Sequence, residues 1–438
     1  MFRKVEPIKP GLYHFRGKDE FEGMRFHLRV DNEERGVLII NASRMVILNG
    51  TGIEYAMYIL EGLDDDEIVR KIKKRYRVKK NVVKRDLEEF RRDLRAIAKC
   101  EEIISGMHVN LEEIYKGQKA PYRMDLALTY RCNNNCIHCY NNRRNSEELG
   151  TEEWKKVLDI LWDLGIPHVV FTGGEPTLRD DLVELIRHAE SNGQITGLNT
   201  NGRKLADAKY LASLISAGLD HVQITIESYD ARRHDAITRV KGSYQETVKG
   251  IRNVLSQGIY LVTNTTVMQE NLDDIIPTIE FLRDLGVKHI AVNSIIRSGR
   301  GLNAHAVDYE SLEKLLKRGR ELSIIGDFEF RWYTPTPYCK LNPMELGLGM
   351  KSCTACRLNM AIEPNGDVIP CQSYYSPLGN ILRDEFEKIW NHELCRGIRN
   401  RDYVPEECRT CPLLGVCGAG CPLSWQAGDY VCLDHLSV

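Results

Sequence analysis

Thr129-Tyr130-Arg131-Cys132-Asn133-Asn134-Asn135-Cys136-Ile137-His138-Cys139-Tyr140 decides how this chain is to be read. Three cysteines at C-x3-C-x2-C spacing follow directly on an apolar, strand-like run, Met124–Leu128. Three thiolates on one short loop can hold three irons of a 4Fe–4S cluster and leave the fourth iron open, and thiolates are the usual ligands of such clusters. A closed structural zinc site wants four ligands instead. His138 could supply the fourth, so spacing alone leaves a Cys3His zinc knuckle open.

The next strand-like run, His168–Thr172, leads straight into Gly173-Gly174-Glu175-Pro176. That is an acidic tight turn at the place where a parallel β/α barrel carries its chemistry. Taken together, the two motifs resemble those of the radical S-adenosylmethionine (SAM) enzymes, and the pair in this order and context displaces the zinc reading. The resemblance implies that Cys132, Cys136 and Cys139 bind the reducing 4Fe–4S cluster. It implies further that the amino and carboxylate groups of SAM chelate the open iron, and that the turn formed by Gly173, Gly174 and Glu175 holds the amino group.

At 438 residues the chain is too long for one ordinary core, and two or three domains are expected. With 42% hydrophobic and 28% charged residues the composition is that of a globular protein, and a net charge of −2 gives no global pull towards nucleic acid or membrane. No apolar run is long enough to span a bilayer, and the first residues lack a signal peptide's apolar core, so a cytoplasmic location is expected. Of the 14 cysteines, one is at position 100, three at 132–139, and ten between 339 and 432. Clustering of that kind suits metal sites better than disulfides in a reducing cytosol.

Taken in order, residues 1–22 carry no clear pattern. Alternating apolar residues then predict strands at Phe26–Val30, Val37–Ile40 and Met45–Leu48, followed by helices at Gly52–Leu60, Asp64–Tyr76 and Asn81–Ala98. This is a winged-helix-like α+β module, and residues 48–63 resemble the peptide-chaperone (PqqD-like) domain of pyrroloquinoline-quinone biosynthesis. That resemblance implies capture of a substrate's leader peptide along a strand edge, where backbone bonds give affinity and side-chain pockets give choice. Between Arg70 and Arg85 lie ten basic residues and no acidic one. They are either a solvated helix face or an electrostatic guide for an acidic leader. With Tyr76 the only aromatic residue in the run, a nucleic-acid role is disfavoured.

From residue 119 to about 325, strands alternate with amphipathic helices, the pattern of a parallel α/β fold. The strands expected are Arg123–Thr129, His168–Thr172, Ile195–Asn199, His221–Ile226, Tyr260–Val267 and His289–Asn293. Six units make a partial (β/α)6 barrel, as in the radical SAM family. By resemblance, Thr225 falls where relatives carry a SAM-contacting hydroxyl, and Arg300 lies in a segment that lines the adenosine. His138 occupies a position often aromatic, where a ring could stack on adenine. Which of Thr238 and Arg239 stands for the family's arginine near the SAM carboxylate is left open by the spacing.

In the last segment, 326–438, Cys356-x9-Gly366-x4-Cys371 precedes Cys408-x2-Cys411-x5-Cys417-x3-Cys421 and Cys432. Zinc ribbons would suit such pairs as well. The order resembles the SPASM extension of radical SAM maturases. It implies two auxiliary 4Fe–4S clusters, one on Cys353, Cys356, Cys371 and Cys421, the other on Cys408, Cys411, Cys417 and Cys432. Cys339 competes with Cys353 as the eighth ligand, and Cys100 and Cys395 are left unassigned. Gln372 stands where sulfatase-maturing relatives carry a basic aspartate, which argues against that activity.

The expectation is therefore a three-domain enzyme: a peptide-recognition module with its linker (1–118), a radical SAM barrel (119–325) and a SPASM domain (326–438). It would use SAM and three 4Fe–4S clusters to modify a peptide or protein through a 5′-deoxyadenosyl radical. A low-potential ferredoxin or flavodoxin would supply electrons. Two other readings are maturation of a non-peptide cofactor, such as a tetrapyrrole or metal cofactor, and a zinc-bearing basic adaptor without enzyme activity.

Overall fold

The structure, a computed structural model, describes residues 6–42, 44–99, 115, 117–141 and 147–429. Expectations that fall on Cys100 and Cys432 lie outside these residues. The chain divides into two compact units. The first gathers the chain as far as Tyr122 with Asp159–His168 and Asn192–Ile195; the second holds the rest from Arg123.

In the first unit, strands β1 (Gly11–Arg16), β2 (Arg25–Asn32), β3 (Arg35–Ile40) and β4 (Arg44–Asn49) form an antiparallel sheet in that order. Helices α1 (Gly50–Glu61), α2 (Asp65–Arg75) and α3 (Lys80–Lys99) follow. The three expected strands and helices are all present. The added strand β1 falls in the stretch whose sequence carries no clear pattern, because its residues are only half-buried and lack a clean alternation. Asn49 caps α1 by accepting the Gly52 amide at 2.8 Å, and Asp64 caps α2 by accepting that of Glu67 at 2.8 Å. Phe26, Leu28 and Val30 of β2 enter the apolar core with Ile53, Ile68 and Leu87. The alternate residues Arg25, His27 and Arg29 are also buried. They are satisfied by main-chain oxygens: His27 Nε2 lies 2.7 Å from the Gly193 carbonyl, Arg25 Nη2 donates to the same oxygen, and Arg29 donates to that of Ala120.

In the second unit, the strands are β5 (Arg123–Thr129), β6 (His168–Gly173), β7 (Ile195–Thr200), β8 (His221–Thr225), β9 (Tyr260–Val267) and β10 (His289–Ser294). They stand within one residue of their sequence-based limits. The barrel does not stop at six. Tyr309–Gly326 is a helix leading into β11 (Glu329–Trp332), which pairs in parallel with β10. On the other edge, β12 (Asn359–Ile362) pairs in parallel with β5 and is followed by β13 (Asp367–Ile369) and β14 (Gly379–Asn380). The sheet runs β11-β10-β9-β8-β7-β6-β5-β12-β13-β14. Thus the boundary expected at 325/326 falls inside a helix, and the cysteine-rich segment extends the barrel's own sheet. Short strands such as β11, with only four residues, carry too little periodicity to be seen beforehand. Among the described residues no helix is long and apolar enough to cross a membrane.

Candidate metal centre

The cysteine loop leaves the C-terminal end of β5 and is held by its own neighbours at nearly every residue. The Asn135 amide donates to the Thr238 carbonyl (2.9 Å) and that of Ile137 to the Ile237 carbonyl (3.0 Å). Arg300 Nε donates to the Cys136 carbonyl at 2.8 Å, its Nη1 to Asn135 Oδ1 at 3.0 Å, and its amide to the Cys139 carbonyl at 2.9 Å. Arg203 Nη1 donates to the Asn133 carbonyl at 2.6 Å, and Asn201 Nδ2 to Asn133 Oδ1 at 2.6 Å. Arg300 therefore grips the loop itself, although the sequence reading places it along adenosine.

Glycine makes this close packing possible. A Cβ on Gly173 would stand 2.2 Å from the Thr129 carbonyl oxygen, and one on Gly174 2.3 Å from that of Arg131. The turn can lie against the cysteine loop only without side chains there. The Gly174 amide bonds the Thr129 carbonyl at 2.7 Å and the Glu175 amide that of Arg131 at 2.8 Å.

The Glu175 carboxylate is buried and already accepts four bonds. Its Oε1 takes the Thr177 amide (3.1 Å), the Thr177 hydroxyl (2.6 Å) and the Thr200 hydroxyl (2.7 Å), and Oε2 takes the Asn201 amide (2.8 Å). Burial raises its pKa and these bonds oppose the rise. The side chain ties β6 to β7, so of this motif the main chain is the part left to meet a ligand. Thr225, half-buried at the end of β8, has a hydroxyl with no partner among the described residues. Thr238 is buried with its hydroxyl bonded to the His234 carbonyl (3.0 Å), and Arg239 is exposed in the left-handed region, φ 57°.

His138 Nε2 lies 3.2 Å from Oε1 of Glu227, whose side chain is fully buried and whose Oε2 accepts the Thr266 amide. Sequence reading overlooked Glu227 and Arg203. Each sits beside a quoted motif, Ile226-Glu227 after Thr225 and Gly202-Arg203 after Asn201, but an acid or base near a strand end carries no signal of what it touches.

None of Cys132, Cys136 and Cys139 is in a disulfide. Burial pushes the Cys136 thiol well up, with Glu227, Cys139 and Cys132 adding to the rise and Arg300 opposing it. Three thiols that feel one another in a buried pocket need a cationic partner to ionise, and iron is such a partner. Arg300 Nη2 and His138 Nδ1 are buried beside the loop without a hydrogen-bond acceptor or donor among the described residues. A bound cluster with its sulfides, and the molecule chelated to it, would meet such groups, so the residues present fit the group. Among the described residues no three cysteine, histidine or carboxylate side chains converge as the ligands of one single ion do.

In the cysteine-rich segment, Cys353, Cys371 and Cys421 share one electrostatic neighbourhood, and burial pushes all three thiols up, that of Cys371 to about 12. Each sulfur has backbone amides directed at it: Ala355 at Cys353, Ser373 and Tyr374 at Cys371, Leu423 and Ser424 at Cys421. Amides aimed at sulfur stabilise thiolate, the ligating form. Of the two candidates for the upstream ligand, Cys353 is in this group, and Cys339 is exposed. Cys411 and Cys417 neighbour one another, and Cys417 Sγ accepts the Tyr338 amide at 3.2 Å. Cys356 departs from the expected set. It is bonded to Cys395, and both are fully buried. The helix Glu393–Asn400 brings Cys395 under it, a neighbour that no linear spacing foretells.

Residues 126–282 match the radical SAM superfamily, and residues 353–412 match the SPASM iron–sulfur cluster-binding domain. The chain is 30% identical over 340 residues to a PqqA peptide cyclase of Rhizobium meliloti, an alignment covering 73% of this chain and 87% of that one. It is 28% identical over 332 residues to an AdoMet-dependent heme synthase of Methanosarcina barkeri, covering 71% and 95%. In fold it resembles Streptococcus suis SuiB bound to S-adenosylmethionine, with TM-score 0.70 at 17% identity over 91% of this chain and 95% of that one. SuiB bound to its precursor peptide SuiA gives TM-score 0.68 at 18% identity over 94% and 96%. This chain belongs to the radical SAM superfamily, and it carries a C-terminal SPASM domain.

Proposed function

We propose that this protein is a radical SAM enzyme that modifies a ribosomally made peptide or protein by C–H functionalisation, such as crosslinking. The observation that carries the reading is the cysteine loop, whose three thiols are held in a buried, glycine-lined seat by Arg300, Arg203 and the Ile237–Thr238 main chain. Cys132, Cys136 and Cys139 would hold the first 4Fe–4S cluster. When bound, the reduced cluster and SAM supply a 5′-deoxyadenosyl radical that removes hydrogen from an unactivated carbon.

This chain's own residues orient and exclude. The Gly173–Gly174 main chain, the Thr225 hydroxyl and His138 are the groups left to contact SAM. Arg300 positions the loop. Cys353, Cys356, Cys371 and Cys421 would hold one auxiliary cluster once the Cys356 bond is reduced, and Cys408, Cys411, Cys417 and Cys432 the other. A ferredoxin or flavodoxin would be the electron donor. The first unit acts as a PqqD-like peptide-recognition module. Several cations of the Arg70–Arg85 run are paired, Arg75 with Glu54 and Lys80 and Lys84 with Asp66. Exposed Lys73, Lys74, Arg77 and Lys79 have no ion-pair partner among the described residues, and these would meet an acidic leader.

The test is anaerobic incubation of the iron-reconstituted protein with SAM, a reductant and peptides encoded beside its gene. Formation of 5′-deoxyadenosine with a hydrogen-loss mass change in one peptide is expected. Turnover with a tetrapyrrole alone would move the protein to the activity class named for the heme synthase relative.

A further inference from the structure

The sheet of the second unit has a polar inner face. Along β8, His221, Gln223 and Thr225 are partly accessible, whereas the intervening Val222 and Ile224 are fully buried. A strand points alternate residues to opposite faces, so the accessible set looks onto open space. Gly197, in register with His221, gives that imidazole room: a Cβ there would stand 2.3 Å from the ring.

Arg123, the first residue of β5, stands out among the charged groups of this region. Although 38% of its side chain is accessible, the group lies deep within the unit. The two facts agree only if the accessible part faces an internal cavity. His221 and Tyr140 combine partial accessibility with deep enclosure in the same way, as does Cys371. The electrostatic neighbours of Arg123 are Asp125, Tyr333 and Tyr140, and those of Tyr140 include Cys139, Asp125 and Cys371. The cavity that holds Arg123 is therefore also near both the first cysteine loop and the cysteine-rich segment.

Its hydrogen bonding is incomplete. Arg123 Nε donates to Asp125 Oδ1 at 2.7 Å, and neither terminal nitrogen has a partner among the described residues. Arg331 is different: its Nε and Nη2 both bond Glu329, and Nη2 also reaches the Tyr260 hydroxyl. A guanidinium has five N–H donors in a rigid fork that matches a carboxylate two bonds at a time. With Asp125 held at Nε, the Nη1/Nη2 edge is open. The His221 ring, made hard to protonate by burial and by Arg123 itself, adds no competing cation.

We propose that Arg123 determines substrate specificity by binding, through its open Nη1/Nη2 edge, a carboxylate carried by the substrate close to the carbon that is attacked. This rests on the radical SAM reading above and narrows its substrate class to one with an anionic group near the reacting carbon. An aspartyl or glutamyl side chain of a peptide and a propionate of a tetrapyrrole share that chemistry.

The experiment measures binding of two uncharged-backbone probes, N-acetylglutamate α-amide and N-acetylglutamine α-amide, to the full-length reconstituted protein by ligand-observed NMR. The wild type should favour the glutamate probe by about tenfold or more, the range of a charge-assisted pair in an enclosed site. Arg123→Gln should abolish the preference and Arg123→Lys keep part of it. Asp125→Asn, which removes the internal competitor and retains the guanidinium, should increase it. Equal binding of the two probes to wild type, preference surviving in Arg123→Gln, or preference falling in Asp125→Asn would each overturn the proposal. Should Arg123→Gln lose iron and fail to fold, the opposite signs expected of Arg123→Lys and Asp125→Asn still decide. Coproporphyrin that displaces the glutamate probe from wild type and from Asp125→Asn supports Arg123 with a propionate as its partner. Displacement by an acidic peptide alone supports it with a peptide carboxylate. A peptide modified with equal kcat/KM by wild type and Arg123→Gln would sink the proposal while leaving peptide modification standing.

Discussion

Cys356 is bonded to Cys395, 39 residues further along the chain, with their Cα atoms 5.4 Å apart and both residues fully buried. Cys356 also stands three positions from Cys353, which shares its neighbourhood with Cys371 and Cys421. One thiol thus has two partners to choose between, another cysteine or an iron. Peptide mapping of iron-free protein without reductant should recover the 356–395 crosslink, and reconstitution under reductant should leave Cys395 open to alkylation. Cys395→Ser should retain the full iron complement, whereas Cys356→Ser should lower it by up to one cluster, about four atoms. Equal iron in both variants would remove Cys356 from the ligand set.

Replacing Cys132, Cys136 and Cys139 together with alanine should abolish 5′-deoxyadenosine formation and remove about four irons. The cysteines of the 353–421 segment, held by their own amides, should keep theirs. Residual SAM cleavage under reducing conditions would refute the assignment of the loop.

Arg300→Met removes two charge-assisted bonds to the cysteine loop, at Cys136 and Asn135. Bonds of this kind contribute about 1.5–3 kcal/mol each. The expected result is faster loss of iron to a chelator, with the affinity for SAM of the variant that still holds its cluster little changed. A large fall in SAM affinity at full iron content would instead place Arg300 along the adenosine.

Glu175→Gln replaces an acceptor with a group that must turn an NH2 towards N–H or O–H donors of Thr177, Thr200 or Asn201. Leaving such a buried donor unsatisfied costs about 1–3 kcal/mol. A lowered Tm in the absence of SAM is therefore expected. An unchanged Tm together with weakened SAM binding would show that the carboxylate meets the ligand directly.

His27 gives the first unit a pH dependence. Burial lowers its pKa to about 3, with His14 and Arg25 lowering it further and the Gly193 carbonyl opposing. His14, stacked on it at 4.9 Å, and the edge of Trp162 at 6.4 Å complete its surroundings. In the unfolded chain the group titrates near 6.5. Above that pH both states are neutral and its contribution is fully present; as pH falls below 6.5 the unfolded state takes up a proton that the folded state refuses. Stability should fall by about 2 kcal/mol between pH 7 and pH 5. The measurement is thermal unfolding of full-length protein across that range. An equal slope in His27→Gln would assign the dependence elsewhere.

The sequence by itself determined the cysteine loop, the glycine turn, the six central strands and the first unit's helices. Each rests on a short-range regularity: ligand spacing, a tight turn, a period of two or of 3.6, a cap. What only the tertiary structure decided are the partners. That Glu175 serves Thr177, Thr200 and Asn201, that Arg300 grips Cys136, that Cys395 lies against Cys356, and that β12 continues the sheet beside β5 all depend on residues brought together from distant parts of the chain. Periodicity reports which face of an element is buried, because burial follows the local pattern of apolar residues. It does not report which charged group from 25, 39 or 164 positions away completes a hydrogen bond or meets a thiol, because that is a matter of how the elements pack. Arg123 shows the difference most clearly. In the sequence it is the unremarked start of a strand, and only the folded sheet places its open edge in a cavity beside Tyr140 and His221.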